Sequence, residues 1–174
     1  MESLIYTVPA AGVIALVYAF IKAKWVKAQE PGDAKMVEIA DQIQDGAMAF
    51  LKTEYTAILK FVLPVAALLA VANWSGPGQH PTIAIAFLIG AALSALAGYI
   101  GMKVATDANV RTTAAARTGL NKALDVAFAG GSVMGMTVVG LAVIGLGALW
   151  IIFNGMFPEA KALSILTGFS MGAS

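Results

Sequence analysis

The sequence predicts an all-α fold, a polytopic membrane helix bundle of four complete spans plus the start of a fifth, and three observations predict it. Of its 174 residues, 59% are hydrophobic and 12% charged, with a mean hydropathy of +0.81. Soluble domains carry about 25% charged residues, and a globule this small cannot cover so much apolar surface. Four apolar runs, about 4–21, 55–74, 83–102 and 133–153, each approach the roughly 20 residues that cross about 30 Å of hydrocarbon as helix. Basic residues are confined as well: apart from Lys161, every Lys and Arg falls between Lys22 and Lys60 or between Lys103 and Lys122. Residues 1–174 therefore read as a single membrane domain.

The first run, Leu4 to Ile21, is preceded by Glu2 rather than by basic residues and is followed by Lys22, Lys24 and Lys27. That order suits an uncleaved anchor, not a secretory signal. Because Lys and Arg near span ends stay in the cytoplasm, the N-terminus is expected outside and the connections 22–54 and 103–132 inside. Asn73 to Pro81 and Asn154 to Lys161, short and poor in positive charge, are expected outside. Trp25, Tyr55, Trp74, Tyr99 and Trp150 fall near the expected span ends, where amphipathic rings favour the headgroup layer.

In the first connection Met36, Ile39, Ile43, Ala47 and Phe50 recur at helical spacing, so an amphipathic helix runs into the second span and packs its apolar stripe on a partner. Asp33, after the breaker pair Pro31 and Gly32, is its expected cap. Within the second span, Lys60 is close enough to one end for its ammonium to reach the interface. Pro64, lacking an amide hydrogen, is expected to kink the helix. In the second connection Val104 to Thr118 reads as helix, with Gly119 as its C-cap and Asn121 starting the helix that leads through Phe128. Gly90, Ser94 and Gly98, then Gly131 and Gly135, with Gly140, Gly145 and Gly147 beyond, are small residues that let helix backbones approach closely. Ala162 to Ser174 is apolar again, but its helix would rise only about 20 Å. Two readings stand, a helix lying in the interface or a fifth span, partial over 162–174.

Chemistry is sparse. There is no cysteine, hence no disulfide, thiol nucleophile or thiolate metal site, and His80 alone cannot build a His-rich one. A net charge of +1 offers no general attraction for nucleic acid. Glu38, Asp41 and Asp45 share a helix face at a spacing that can gather carboxylates around Mg²⁺ or Ca²⁺, yet no Asp-rich loop or glycine cradle accompanies them, and a solvated face is the simpler reading. Arg111 and Arg117 suit phosphate, but arginines at a cytoplasmic membrane end more often set topology or meet anionic lipid. Asp107 and Asp125 are their candidate partners, or those of Lys103 and Lys122. Gly130, Gly131 and Gly135 follow no strand and precede no Lys-Ser or Lys-Thr pair, so they form no phosphate loop. His80, beside Pro81, reads as a turn residue. The span interiors hold no Asp, Glu, Arg or His, the types that mark an ion path, and Ser94, Ser132 and Thr137 are expected to bond across helices. No catalytic, cofactor-binding or metal-binding residue is assigned.

The run GYIGMKVATDANVRTTAAARTGLNKALDVAFAGGSVMGMTVVGLAVIGL, from Gly98 to Leu146, resembles the third and fourth transmembrane segments of the membrane-integral, ion-translocating inorganic pyrophosphatases. EIADQIQDGAMAFLKTEY, from Glu38 to Tyr55, resembles the segment before that family's second span, and GFSMGAS, from Gly168, the opening of its fifth. The resemblance implies an N-terminal fragment, ending within the fifth helix, of a dimer with about sixteen spans per chain. That parent hydrolyses Mg²⁺-bound pyrophosphate at the cytoplasmic face and moves H⁺ or Na⁺ outward, with possible dependence on K⁺ or Na⁺. The family's substrate motif, DVGADLVGKVE, has no match here, since Asp125-Val126 shares only its first two letters, so no catalytic residue carries over and the fragment alone is expected to be inactive. Its partners would be pyrophosphate, the lipid bilayer, the remaining helices of the same protein and a second copy. The alternatives are a non-catalytic four-span membrane scaffold and a small transporter subunit, the latter lacking the intramembrane ionisable residue it would need.

Overall fold

A computed structural model describes residues 2–74 and 80–174 and, among them, contains five helices and no strand. They are α1 (Glu2–Lys27), α2 (Ala34–Ala72), α3 (Thr82–Ala116), α4 (Leu120–Met156) and α5 (Glu159–Ala173). Length and composition suit Tyr6–Lys27, Ala34–Ala72, Thr82–Ala116 and Leu120–Met156 to crossing a membrane. At about 1.5 Å per residue, α2, with 39 residues, is about 58 Å long and α3 and α4 only slightly shorter. Each exceeds the hydrocarbon thickness by more than 20 Å. The apolar halves are the C-terminal part of α2, the N-terminal part of α3 and the C-terminal part of α4. Because successive helices alternate in direction, those halves lie at one end of the bundle and the charged extensions at the other.

Local chemistry explains the helix ends. The Asp33 carboxylate accepts a 3.0 Å bond from the Met36 amide and caps α2, as the sequence suggested. Gly32 just before it has φ of 93°, a value that costs glycine little and other residues more. From Ala34 onward the first connection and the second span form one uninterrupted helix, with Pro64 inside it. The second connection needs a correction: α3 ends with Arg117 as its C-cap, and Gly119, with φ of 146°, is the N-cap of α4 rather than the C-cap of α3. A three-residue break, Arg117 to Gly119, suffices because a glycine free to take that angle reverses the chain. The short connection read at Asn73 to Pro81 lies partly outside the described residues, at positions 75–79.

Packing is organised around α3 and α4. Helix α1 lies antiparallel to α4: a Cβ on Gly12 would meet Ile144 and the Gly140 carbonyl, and one on Gly147 would meet Pro9. Toward the charged end the seam continues through Ala19, Val104 and Val133, then Val26, Ala108 and Ala129. Helix α5 runs parallel to α3, with Gly168 against the Ile83 carbonyl and Gly172 against that of Phe87. Ala86, Leu149, Phe153, Ile165 and Phe169 bury the core between α3, α4 and α5. Helix α2 packs chiefly on α3 and is the outlier. Its stripe residues Met36, Ile39 and Ile43 share a cleft of about 210 Å³ with Thr106, Asn109 and Val110, yet Ile39 and Ile43 stay about half exposed, at 48% and 51%. The stripe finds a partner only in part.

Not every expected small-residue contact exists. Gly90, Gly140, Gly145 and Gly147 sit at helix crossings, whereas a Cβ on Gly131 or Gly135 would meet nothing within 4 Å. Helix rotation decides this: Val133 and Thr137 take the buried face of α4 and turn both glycines outward.

Candidate functional site

The charged end of the bundle concentrates the polar contacts. The Asp107 carboxylate of α3 lies 3.6 Å from the Lys27 ammonium of α1 and 4.0 Å from the Arg111 guanidinium one turn along. The same guanidinium donates a 2.7 Å bond to the Asp107 main-chain carbonyl. Arg117 donates a 2.7 Å bond to the Asp33 carboxylate, tying the end of α3 to the start of α2. That guanidinium, followed by the Met36 amide, holds the Asp33 carboxyl below the usual carboxylate range. Among the described residues the Arg111 Nε is buried with no hydrogen-bond partner.

A crevice of about 520 Å³ opens beside these groups, between the end of α1, the end of α3 and the start of α4. Trp25, Glu30, Arg111, Lys122 and Asp125 line it. Two carboxylates offset two cations, so the crevice lacks the surplus of positive charge that a phosphate cradle requires. Of the pairings read from sequence, Asp107 with Arg111 forms. Asp107 takes Lys27 rather than Lys103, and among the described residues Asp125 makes no ion pair. Both arginines are engaged by carboxylates rather than left free for an anion.

The other candidates fall into structural places. Glu38, Asp41 and Asp45 are all exposed on α2. Among the described residues no three His, Cys, Asp or Glu side chains converge as a metal site. At the opposite end the His80 Nδ1 accepts a 3.3 Å bond from the Thr82 amide and lies 2.9 Å from the Thr82 hydroxyl. The ring packs at a tilt of 52° against Phe157, with centroids 4.7 Å apart, and the Lys161 ammonium sits over that phenyl ring. His80 thus secures the start of α3 to the end of α4. Thr137 and Ser132 do not bond across helices; their hydroxyls donate to the Val133 and Ala129 carbonyls of their own helix, the nearest acceptors available. A bond between the apolar halves of two helices comes instead from Tyr55, whose hydroxyl donates to the Ala95 carbonyl at 2.6 Å. Its placement near a span end pointed to the headgroup layer, and only the 40-residue separation closed by the fold reveals the partner.

Five helices, apolar over a shared half and ion-paired at the other end, with four long enough to cross a bilayer, define an integral, multi-pass membrane protein. The sequence pattern of the family described as "Inorganic H+ pyrophosphatase" matches residues 13–174, and the chain belongs to that family. It is 48% identical over its whole length to a protein of Clostridium tetani named "Putative K(+)-stimulated pyrophosphate-energized sodium pump", covering 24% of that protein. A "K(+)-insensitive pyrophosphate-energized proton pump 2" of Moorella thermoacetica is 44% identical over 96% of this chain and 24% of its own length. A "K(+)-insensitive pyrophosphate-energized proton pump" of Methanosarcina mazei is 40% identical over all of this chain and 24% of its own. The chain thus spans about a quarter of the length of the relatives it matches.

Proposed function

We propose that this chain is the N-terminal part of a membrane pyrophosphatase that couples Mg-pyrophosphate hydrolysis to outward pumping of H⁺ or Na⁺, and that on its own it neither hydrolyses nor pumps. The observation that carries the reading is a family match through residues 13–174 beside relatives named as pyrophosphate-energized pumps, of which the chain spans about a quarter. In this reading pyrophosphate is the substrate, Mg²⁺ the metal, K⁺ or Na⁺ a further cation, and the lipid bilayer, the protein's remaining helices and a second copy its partners. No residue of this chain is assigned to any of these ions. Its contribution is mechanical. The glycine-lined seams of α1 with α4 and of α3 with α5 make a wall, and the ion pairs Lys27–Asp107 and Arg117–Asp33 lock the extensions above it.

The confinement of Lys and Arg supports an N-terminus outside and connections 22–54 and 103–132 in the cytoplasm. Spans near 4–21, 55–74, 83–102 and 133–153 then place the long helical extensions inside. The parallel packing of α5 on α3 favours a fifth span beginning near Ala162 over an interfacial helix. The test is expression of the 174-residue chain and of the complete reading frame in vesicles, assayed for phosphate release from Mg-pyrophosphate and for ion uptake. The complete protein is expected to show both and the short chain neither. Inactivity of the complete protein overturns the pump reading in favour of a scaffold. Activity of the short chain overturns the placement of catalysis outside it.

A further inference from the structure

We propose that the groove between α2, α3 and α4 is the seat of the helix that continues α5 past Ser174 in the longer protein, an inference that rests on the reading above. Helix α5 sets the register. A side chain on Gly168 would meet Ile83, and one on Gly172 would meet the Phe87 carbonyl and the Ala91 amide, so four residues along α5 match four along α3. Two parallel helices with the same rise keep that match. The next partners on α3 are then Ser94 and Ala95, followed by Gly98 and by Gly101 with Met102.

Those residues floor a groove of about 560 Å³, with Tyr55 and Ile58 of α2 on one wall and Met134 of α4 on the other. Gly172 and Ser174 line its near end, so the continuing chain starts inside it. Phe87 to Ala105, the lining positions of α3, cover about 27 Å at about 1.5 Å per residue. One helical turn, taken as a cylinder about 10 Å across and 5.4 Å high, fills roughly 420 Å³. A half-sunk helix of several turns fits that space. Small residues on the floor permit close approach, as Gly90 already does against Phe169 and Ala173. The groove stays open because the Tyr55 hydroxyl bond to Ala95 holds α2 on α3, away from α4 and α5. A tethered occupant also arrives at high effective concentration, unlike a lipid or a second copy.

The absence of cysteine makes the test direct. In the complete protein, with any later cysteines replaced, Ser94→Cys and Met102→Cys are each paired with single cysteines at the dozen positions after Ser174 and oxidised in the membrane. Helical continuation in register gives disulfides to Ser94→Cys about three residues past Ser174 and to Met102→Cys about eleven past, recurring every three to four residues. Several outcomes overturn the proposal: no disulfide from either position, no helical period, a disulfide between two copies of the Ser94→Cys chain, or quenching by brominated lipid of a fluorophore on Ser94→Cys. Pyrophosphate hydrolysis by the same membranes separates the two readings. Activity without cross-links sinks the groove assignment alone, and cross-links without activity sustain it while counting against the pump.

Discussion

Gly12 and Gly131 both lie inside long helices, but they differ in what a methyl group would meet, and that difference isolates the α1–α4 seam. A Cβ on Gly12 would fall 2.6 Å from the Ile144 side chain and 2.9 Å from the Gly140 carbonyl, whereas one on Gly131 would meet nothing within 4 Å. The carbonyl belongs to helical backbone and cannot swing away, so reaching an ordinary 3.4 Å contact moves α1 outward by about half an ångström. A gap of that size forfeits about a quarter of each dispersion well. Over the 40–60 atom pairs, about 0.1–0.2 kcal/mol each, that a Leu-sized side chain makes, the loss is about 1–3 kcal/mol. In lipid no hydrophobic effect between helices offsets it. Both substitutions gain about 0.8–1 kcal/mol of helix propensity, which cancels in the comparison. Gly131→Ala should therefore raise the thermal midpoint of the purified protein in detergent slightly, and Gly12→Ala should fall about 1–3 kcal/mol below it. Equal shifts for the two variants would refute the close approach of α1 to α4.

Three further outcomes follow from single contacts and a fourth from the distribution of charge. Tyr55→Phe removes the bond to the Ala95 carbonyl and should cost about 0.5–1.5 kcal/mol in the same thermal assay, an unchanged midpoint arguing against the contact. Arg111→Met leaves Asp107 with Lys27 alone and should cost about 1–3 kcal/mol, with much of the loss recovered in the Asp107→Asn, Arg111→Met double variant. Asp33→Ala removes both the α2 cap and the Arg117 pair, while Asp33→Ser keeps the cap and should retain the higher midpoint of the two. Because the folded Asp33 carboxyl is held below its ordinary value of 3.8, its stabilisation is complete above that value and lost as pH falls through the lower folded one. Acid melting of the wild type and Asp33→Ala should converge there. For orientation, Glu159→Cys is expected to react with a membrane-impermeant maleimide from outside intact cells and Glu38→Cys only after lysis; the reverse pattern inverts the topology.

The seam and the ion pairs show what the amino-acid sequence could and could not reveal. The helices were legible because long apolar runs leave a membrane helix few alternatives: backbone groups in lipid must bond within the segment. The Asp33 cap was legible because a cap and its amide lie three residues apart. The Tyr55 bond to Ala95 and the Lys27 pair with Asp107 were not, since each joins residues brought together only when helices are placed side by side.

By itself the sequence determined that the chain is helical, suited to a membrane, charged at one end of its bundle, and similar to membrane pyrophosphatases. Tertiary structure alone decided which small residues touch. Gly12 faces Gly140, while Gly131 and Gly135 point to open space. It also turned Gly119 from an expected C-cap into the N-cap of α4 and kept the Thr137 and Ser132 hydroxyls on their own helices. The reason is rotational. Hydropathy specifies that a helix crosses, but a helix apolar all round has no preferred face until its neighbours' shapes supply one.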